Sequence, residues 1–175
     1  MEIIENKNFE YKNDIIQLYI EAFASGFSEQ YIDKAALDIY INRILENGMT
    51  YLAIDNSHVL GVILACPLSF DEYVPSIINE NFQIEKCLYV AEMMVTENAR
   101  GKGIGKQLLT TLFKNIDVEK YTDVFIRVWD KNTGAVSLYK SVGFSPFTTI
   151  EQTKMKVNGK ETFMMNKIYL HKKLN

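Results

Sequence analysis

Apolar residues recur at three- and four-residue intervals in four stretches of the chain, the spacing that places them on one side of a helix. Two of these stretches predict helices near the start, over residues 13–24 and 28–46. The other two predict helices over residues 103–116 and 133–142. The helices therefore form an early pair and a late pair, with β-rich sequence around the late pair.

Residues typical of helix ends flank these stretches. Ser-Gly at 25–26 follows the first helix as a stop signal, and Asn-Gly at 47–48 follows the second. Ser28 is the expected N-cap of the second helix, and Gly143 is the expected end of the last one.

Two pairs of β-rich runs are separated by short turn sequences, which predicts two antiparallel hairpins. One hairpin joins residues 50–55 to 58–66 through Asn-Ser, and the other joins residues 147–157 to 160–170 through Asn-Gly. The runs of each pair should lie side by side in a sheet.

The middle of the chain alternates strand and helix. Residues 87–95 and 123–129 are β-rich and lie on either side of the predicted helix 103–116. This order predicts two parallel strands joined by a right-handed helical crossover. The pattern as a whole predicts an α/β (α+β) fold.

Residues 69–86 form the least regular part of the chain. Ser69 lies three residues before Glu72, the spacing of a helix capping box, and Pro75 interrupts soon afterwards. A short helix followed by a loop is expected here.

Composition and charge narrow the classes of protein. Hydrophobic residues make up 47% of the chain and no linker-like stretch divides it, so one soluble domain over residues 1–175 is expected. The formal charge of -3 offers no positive field to nucleic acid. No apolar run reaches the ~20 residues of a membrane span, so we expect a cytoplasmic protein that binds neither nucleic acid nor membrane.

The cysteines and histidines offer little chemistry. Cys66 and Cys87 lie in apolar surroundings without a short spacing, so both are expected in the core rather than in a disulfide or a metal site. His58 lies in a predicted hairpin turn and His171 lies near the C-terminus, so they offer little basis for a histidine-based catalytic triad or a metal cluster.

Three glycines stand where the strand 87–95 leads into the following helix. Gly101, Gly103 and Gly105 permit positive φ angles and close backbone approach, and the start of a helix offers unpaired N–H groups. These features predict an anion-binding turn. The alternative is a turn that needs a flexible backbone and binds nothing.

Two common phosphate-binding motifs fit this turn poorly. A P-loop needs Gly-Lys-Ser/Thr five residues after its first glycine, but Lys106 stands there and Gln107 offers no hydroxyl. The dinucleotide motif is G-x-G-x-x-G after an early strand, whereas these glycines follow G-x-G-x-G late in the chain.

A third pattern, Arg/Gln-x-x-Gly-x-Gly/Ala after a strand, is met by Arg100, Gly103 and Gly105. With this loop, and with WDKNTGAVSLYKSVGF at 129–144 as a second signature, nearly the whole chain resembles the GNAT acetyltransferase superfamily. The resemblance implies the GNAT fold, a mixed and mostly antiparallel sheet of about six to seven strands flanked by about four helices.

The resemblance also implies acetyl-CoA as cosubstrate and no metal. The pantetheine arm would pair with the backbone of Met94 and Val95 as an added strand does, and Asn132 would contact the cofactor across the separating strands. The pyrophosphate would lie against the loop backbone. The loop residues are Arg100, Gly101, Lys102, Gly103, Ile104, Gly105 and Lys106. The two lysines would add charge near the pyrophosphate or would simply be solvated.

Acetyl transfer to an amine needs a proton acceptor, because an alkylamine with a pKa near 10.4 is almost fully protonated at pH 7. Glu92 is the candidate, since it is the only charge in the apolar run LYVAEMMV. Strict alternation would place it on one face with Val90 and Met94. The resemblance also favours a carboxylate in this strand. The alternative is a glutamate tolerated where strands part, or turned to solvent by a bulge.

Tyr139 lies in the second signature, where the resemblance implies a tyrosine that donates a hydrogen bond to the departing sulfur. Since tyrosine has a pKa near 10 and a thiol one near 8.5, a hydrogen bond describes this role better than full proton transfer. The alternative is an aromatic ring that fills the helix–sheet interface. A backbone N–H near Val95 would polarise the carbonyl oxygen.

These residues favour an acetyl-CoA-dependent N-acetyltransferase in which a primary amine attacks directly in a ternary complex. The alternative is a non-catalytic protein that binds acyl-CoA as a sensor or structural subunit. The acceptor, a small-molecule or peptide amine, is expected to bind among the first two helices, residues 67–86 and the last hairpin. The sequence does not name this amine, and a homodimer is compatible with it.

Overall fold

The chain is organised around a seven-stranded sheet with helices on both faces. The computed structural model describes residues 1–7, 9–25 and 28–174. The strands are β1 (Glu2–Glu5), β2 (Met49–Asp55), β3 (His58–Pro67), β4 (Cys87–Val95), β5 (Asp123–Trp129), β6 (Ser145–Met155) and β7 (Thr162–Lys173). The α-helices are α1 (Lys12–Ala24), α2 (Lys34–Asn47), α3 (Ser76–Asn81), α4 (Ile104–Asn115) and α5 (Thr133–Ser141).

The strands lie in the order β1-β2-β3-β4-β5-β7-β6. Neighbouring strands are antiparallel, except that β4 and β5 are parallel and are joined through α4. The βαβ unit and the mostly antiparallel sheet predicted from the sequence are therefore confirmed. The described residues form five α-helices where about four were expected, the fifth being the six-residue α3.

A hydrophobic core lies on each face of the sheet. On the α4–α5 face, Leu108 and Leu112 of α4 are fully buried against the sheet. On the α1–α2 face, Ile15 and Ile41 are fully buried, and the segment 68–86 completes the cover. None of the described helices combines the length and the apolarity that a membrane span needs.

Both cysteines are free and buried in the α1–α2 face, as predicted. Burial raises the pKa of the Cys66 thiol and of the Cys87 thiol to about 12, with nearby carboxylates adding to the shift. The thiolate form that reacts as a nucleophile is therefore scarce at neutral pH.

The first hairpin is confirmed, because Asn56 and Ser57 adopt φ angles of 47° and 63°, the positive values of a type I′ turn. The last hairpin has the predicted centre but a wider turn, since its strands end at Met155 and begin at Thr162. Backbone hydrogen bonding continues at Lys156, whose N–H donates to the Glu161 carbonyl, and the Asn158 side chain accepts from the N–H groups of Lys160 and Glu161.

The second helix begins later than predicted. Asp33, not Ser28, is the N-cap, and its carboxylate accepts hydrogen bonds from the N–H groups of Ala35 and Ala36. The Ser28 hydroxyl instead donates to the carbonyl of Phe23. Of the stop signal predicted after the first helix, Ser25 is the C-cap and residue 26 lies outside the described residues.

Two further elements differ from the sequence-based assignment. The capping box at Ser69 and Glu72 was wrong, because α3 begins at Ser76 directly after Pro75, whose fixed φ suits the start of a helix. Strand β1 was missed, since its sequence EIIE is short and half charged. It pairs with β2 at the edge of the sheet.

Candidate active site

Strands β4 and β5 separate in the middle of the sheet. Their ladder joins Cys87–Val90 to Asp123–Ile126 and ends there in the described chain. Beyond it, β4 continues on β3, and β5 continues on β7. The separation leaves one backbone edge of β4 unpaired in the centre of the sheet, beside the Gly-rich loop.

A β-bulge lies at this separation. Glu92 is paired with Leu64, and Val90 is paired with Ala65, so Ala91 is an extra residue in β4. The bulge reverses the alternation of side chains. Val90 packs on the α4–α5 face, whereas Met94 packs on the α1–α2 face. The prediction that Glu92 shares a face with both was therefore wrong for Val90.

Glu92 lies on the α1–α2 face, where the Tyr40 hydroxyl of α2 donates a hydrogen bond to its Oε1 atom at 2.9 Å. Burial raises the pKa of Glu92 to about 7, while the Tyr40 hydrogen bond and the charges of Lys167, Arg127 and Lys154 oppose the rise. A carboxyl group with this pKa exchanges a proton near neutral pH. The bulge therefore does not turn Glu92 out to bulk solvent.

Tyr139 lies on the opposite face of the sheet. It is buried in α5, and its ring packs against Phe144. Within the described residues its hydroxyl has no hydrogen-bond partner. Burial and the negative charge of Glu92 raise the pKa of Tyr139 well above its ordinary value, so the hydroxyl stays protonated. Glu92 and Tyr139 are thus electrostatically coupled across the separated strands.

The Gly-rich loop turns sharply into α4. Gly101 and Gly103 have φ angles of +76° and +78°, and open space lies where each would carry a Cβ atom. Gly103 is the N-cap of α4, and the Arg100 Nε atom closes the loop by donating to the Val95 carbonyl at 3.2 Å. The result is open space beside the loop at a helix N-terminus.

The other loop residues divide between core and solvent. Ile104 is buried and anchors the start of α4, whereas Lys102 and Lys106 are exposed. Gly105 has a packing role, because a Cβ atom there would lie 3.0 Å from Leu138 and 3.4 Å from Met93. Its missing side chain lets α4 approach α5 and β4 closely.

The unpaired edge of β4 exposes different backbone groups from those predicted. The N–H of Thr96 donates to Leu60 in β3, and the carbonyl of Met94 also lies against β3 beside Gly61. Because successive residues of a strand direct their backbone groups to alternate edges, Met93 and Val95 face the separation. The backbone groups of Met94 therefore face β3, and the pairing with the cofactor that the sequence predicts for them stays a prediction.

Asn132 stands at the start of α5, on the far side of the separation. Its Oδ1 atom accepts a hydrogen bond from the N–H of Ala135 at 3.2 Å, which makes it the N-cap of this helix. The side chain is therefore held in a defined position at the edge of the opening.

The sequence model of the acetyltransferase (GNAT) family matches residues 12–144 of this chain. The chain belongs to the GNAT family of acetyltransferases. Among curated proteins, an uncharacterised N-acetyltransferase of Bacillus subtilis (strain 168), YobR, is 40% identical over 62 residues. That match covers 34% of this chain and 24% of the relative, so the chain spans about a quarter of that protein.

Solved structures share the fold of this GNAT chain at low sequence identity. The acetyltransferase yncA from Salmonella typhimurium, solved with acetyl-CoA, has a TM-score of 0.73 and 15% identity over 100% of this chain and 94% of its own. A phosphinothricin acetyltransferase from Sinorhizobium meliloti, solved with acetyl-CoA, has a TM-score of 0.73 and 17% identity over 99% of this chain and 88% of its own. The observed sheet is therefore a GNAT sheet.

A buried charged network beside Glu92 was missed by the sequence analysis. The Arg127 Nη1 atom donates to the Asp71 carboxylate at 2.9 Å and to the Tyr169 hydroxyl at 3.1 Å, and that hydroxyl donates to Asp71 at 2.7 Å. The Tyr73 ring lies 4.7 Å from the guanidinium. One signal was present, because Arg127 interrupts the apolar run DVFIRVW as Glu92 interrupts its own strand.

We expect Asp71→Asn to lower the free energy of unfolding by about 3 kcal/mol or more, because it leaves the Arg127 charge buried without its counterion. The side chains of Asp71 and Arg127 are 3% and 14% exposed, so water cannot replace the carboxylate. Urea denaturation measures the change, with the exposed Asp14→Asn as the matched control. A loss below about 1 kcal/mol would show that the network contributes little to stability.

Proposed function

We propose that this GNAT chain transfers an acetyl group from acetyl-CoA to a primary amine, which attacks directly in a ternary complex. The observation that carries the proposal is the placement of Glu92 and Tyr139 on opposite faces of the sheet, at the point where β4 and β5 separate. A proton acceptor for the amine and a hydrogen-bond donor for the departing thiolate are the two groups that this reaction needs.

The loop before α4 fits the pyrophosphate of acetyl-CoA. The space beside Gly101 and Gly103 is open, and the first N–H groups of α4 lack partners within the helix. Lys102 and Lys106 are exposed beside this space, and neither has an ion-pair partner in the described chain. Positive charge and free N–H groups are therefore concentrated at the N-terminal end of α4.

The separated strands fit the pantetheine arm. The backbone groups of Met93 and the N–H of Val95 face the separation, so an extended ligand can pair with them as an added strand, while the Val95 carbonyl is held by Arg100. Asn132 borders the same opening from α5. When bound there, acetyl-CoA supplies the activated acetyl group.

Glu92 is the proposed proton acceptor. An alkylamine has a pKa near 10.4 and must lose a proton before it attacks. A carboxylate of ordinary pKa is a weak base for this step, whereas a group with a pKa of about 7 is matched to it. The Tyr40 hydrogen bond holds the Glu92 carboxylate in place.

Tyr139 is the proposed hydrogen-bond donor. Its raised pKa keeps the hydroxyl protonated, so it donates a hydrogen bond without releasing its proton. The N–H of Val95 is proposed to polarise the acetyl carbonyl oxygen.

An acetyl-CoA consumption screen tests the proposed function. The full chain is incubated with amino acids, polyamines, aminoglycosides and peptides, and release of free thiol is compared with release in the absence of acceptor. We expect release that depends on an amine, with the acetylated amine detected by mass spectrometry. Thioester hydrolysis that no amine accelerates would contradict acetyl transfer and favour a protein that only binds acyl-CoA.

We expect Tyr139→Phe to lower kcat by about ten-fold or more and to change the affinity for acetyl-CoA less than a few-fold, because it removes a donor needed only as the sulfur leaves. Steady-state kinetics and calorimetry measure the two quantities. Tyr121→Phe removes a hydroxyl from another buried tyrosine in the same core and serves as the control. Unaltered turnover would leave Tyr139 as a packing residue.

A further inference from the structure

The α1–α2 face of the sheet carries three cationic side chains near Glu92. Arg127, Lys154 and Lys167 come from β5, β6 and β7, and the charges of all three act on the pKa of Glu92. Lys167 is paired with Trp129 on one side and with Ile150 on the other. The three cations therefore belong to the charged surroundings of Glu92.

Unlike Arg127, the two lysines have no ion-paired carboxylate in the described chain, and the negative charge of Glu92 acts on both without forming an ion pair. Asp71 neutralises Arg127, as described above. Lys154 and Lys167 form no hydrogen bond and no ion pair within residues 1–7, 9–25 and 28–174, although both are partly buried. Burial lowers the pKa of both ammonium groups, that of Lys167 to about 8. Cations held away from water without a partner are destabilising until an anion joins them.

An unsatisfied amide lies between these lysines. Gln152 is 4% exposed, and its Nε2 and Oε1 atoms both lack hydrogen-bond partners in the described chain. In β6 it lies two residues before Lys154, and its partner Met165 lies two residues before Lys167 in β7. Because residues two apart share a face of a strand, Gln152 belongs to the same surface as both lysines. Buried polar atoms without partners are rare and call for a ligand or water.

We propose that the acceptor amine also carries an anionic group, as an amino carboxylate does, and that Lys154, Lys167 and Gln152 bind this group while the amine lies at Glu92. This inference rests on the proposed acetyl transfer and names the class of acceptor. The inference disfavours polyamines and aminoglycosides as acceptors. The charges of Arg127 and Asp71 neutralise each other, so the positive charges of the two lysines exceed the single negative charge of Glu92. A further positive charge on the acceptor would be repelled.

Matched sets of acceptors test the charge requirement. Each set contains an amino acid, its carboxamide, its decarboxylated amine and its aminophosphonate, all with one side chain, assayed with acetyl-CoA at pH 7. We expect the anionic members to have a kcat/KM at least about ten-fold above that of the amide and the amine. A ten-fold gain corresponds to the free energy that one hydrogen bond to a charged group contributes. Comparison of the carboxylate with the phosphonate identifies the kind of anion.

Substitutions on β6 and β7 test the residues. Lys154→Met and Lys167→Met should each raise the KM for the anionic acceptor, relative to the KM for the carboxamide, by about ten-fold or more. Loss of either charge also raises the pKa of Glu92, and that effect on kcat should be the same for both acceptors. Lys167→Arg keeps the charge and should retain most of the affinity. Lys173→Met, an exposed position at the far end of β7, is the matched control. A loss that is equal for acid and amide would mean a structural role and would overturn the proposal.

The outcomes separate this proposal from acetyl transfer itself. Equal use of acids and amides overturns the anion site while acetyl transfer stands. If no amine is acetylated, binding of amino carboxylates to the CoA-bound protein is measured by saturation-transfer NMR. Binding that Lys167→Met abolishes supports the anion site even though acetyl transfer has failed, and no binding at millimolar concentration overturns it.

Discussion

Replacement of Glu92 by glutamine is expected to lower the rate of acetyl transfer about a hundred-fold or more at pH 7, the range that a positioned general base contributes. Glutamine keeps the shape of the side chain but cannot accept a proton. Below about pH 7, the ionised fraction of Glu92 and the fraction of free amine both rise with pH, so the deficit of the variant stays constant. Above that pH Glu92 is fully ionised while free amine continues to accumulate, so the deficit shrinks.

A pH–rate profile between pH 6 and 9 measures this effect, with chemistry first established as the slow step. The wild-type profile should show an acidic limb centred near pH 7 that Glu92→Gln removes. Tyr40→Phe should move that limb to higher pH, because the Tyr40 hydrogen bond lowers the pKa of Glu92. The exposed Glu85→Gln, two residues before β4, is the control. Equal profiles for wild type and Glu92→Gln would assign proton removal to another group.

Replacement of Gly103 by aspartate is expected to weaken the binding of CoA by about a hundred-fold or more, because a like charge placed against a phosphate costs several kcal/mol. Open space surrounds the position of the new Cβ atom, so the carboxylate projects into the space where the pyrophosphate is proposed to lie. The φ angle of +78° adds backbone strain, which aspartate and asparagine tolerate better than most residues.

Calorimetric titration with CoA measures the loss. Gly103→Asn has nearly the same shape and the same backbone preference without the charge, so it separates electrostatic repulsion from strain. We expect its affinity to fall much less than that of Gly103→Asp. Unchanged affinity of Gly103→Asp would move the pyrophosphate away from the start of α4.

Local signals were sufficient for most of the secondary structure. Strands β4 and β5 have the predicted bounds, α4 is one residue shorter at each end than predicted, and α5 is one residue shorter at its C-terminal end. Such elements are specified by short-range periodicity and by turn residues such as Gly103. The start of α2 was missed because the side chains of both Ser28 and Asp33 can cap a helix. The structure decides for Asp33, because residues 29–31 are held outside the helix by backbone hydrogen bonds to Met155 and Val157 near the end of β6.

The face on which Glu92 lies depended on long-range pairing. A prediction from alternation assumes that the strands pair residue by residue. At the bulge, however, β4 has one residue more than the stretch of β3 opposite it. One extra residue moves every later side chain of the strand to the other face. This bulge lies where β5 separates from β4. Its position therefore depends on how β3, β4 and β5 pair, and the sequence of β4 alone does not show it.

The Gly-rich turn before α4 and the charge of Glu92 within an apolar strand are visible in local spacing and residue type, whereas the GNAT fold and Tyr139 were reached through the family resemblance. The residues that surround Glu92 follow instead from the three-dimensional arrangement of the strands. Tyr40, Arg127 and the β6–β7 hairpin that carries Lys154 and Lys167 are far apart in the chain, and no local pattern links the three. Their proximity, and with it the charge of the proposed acceptor site, follows from strand order and register.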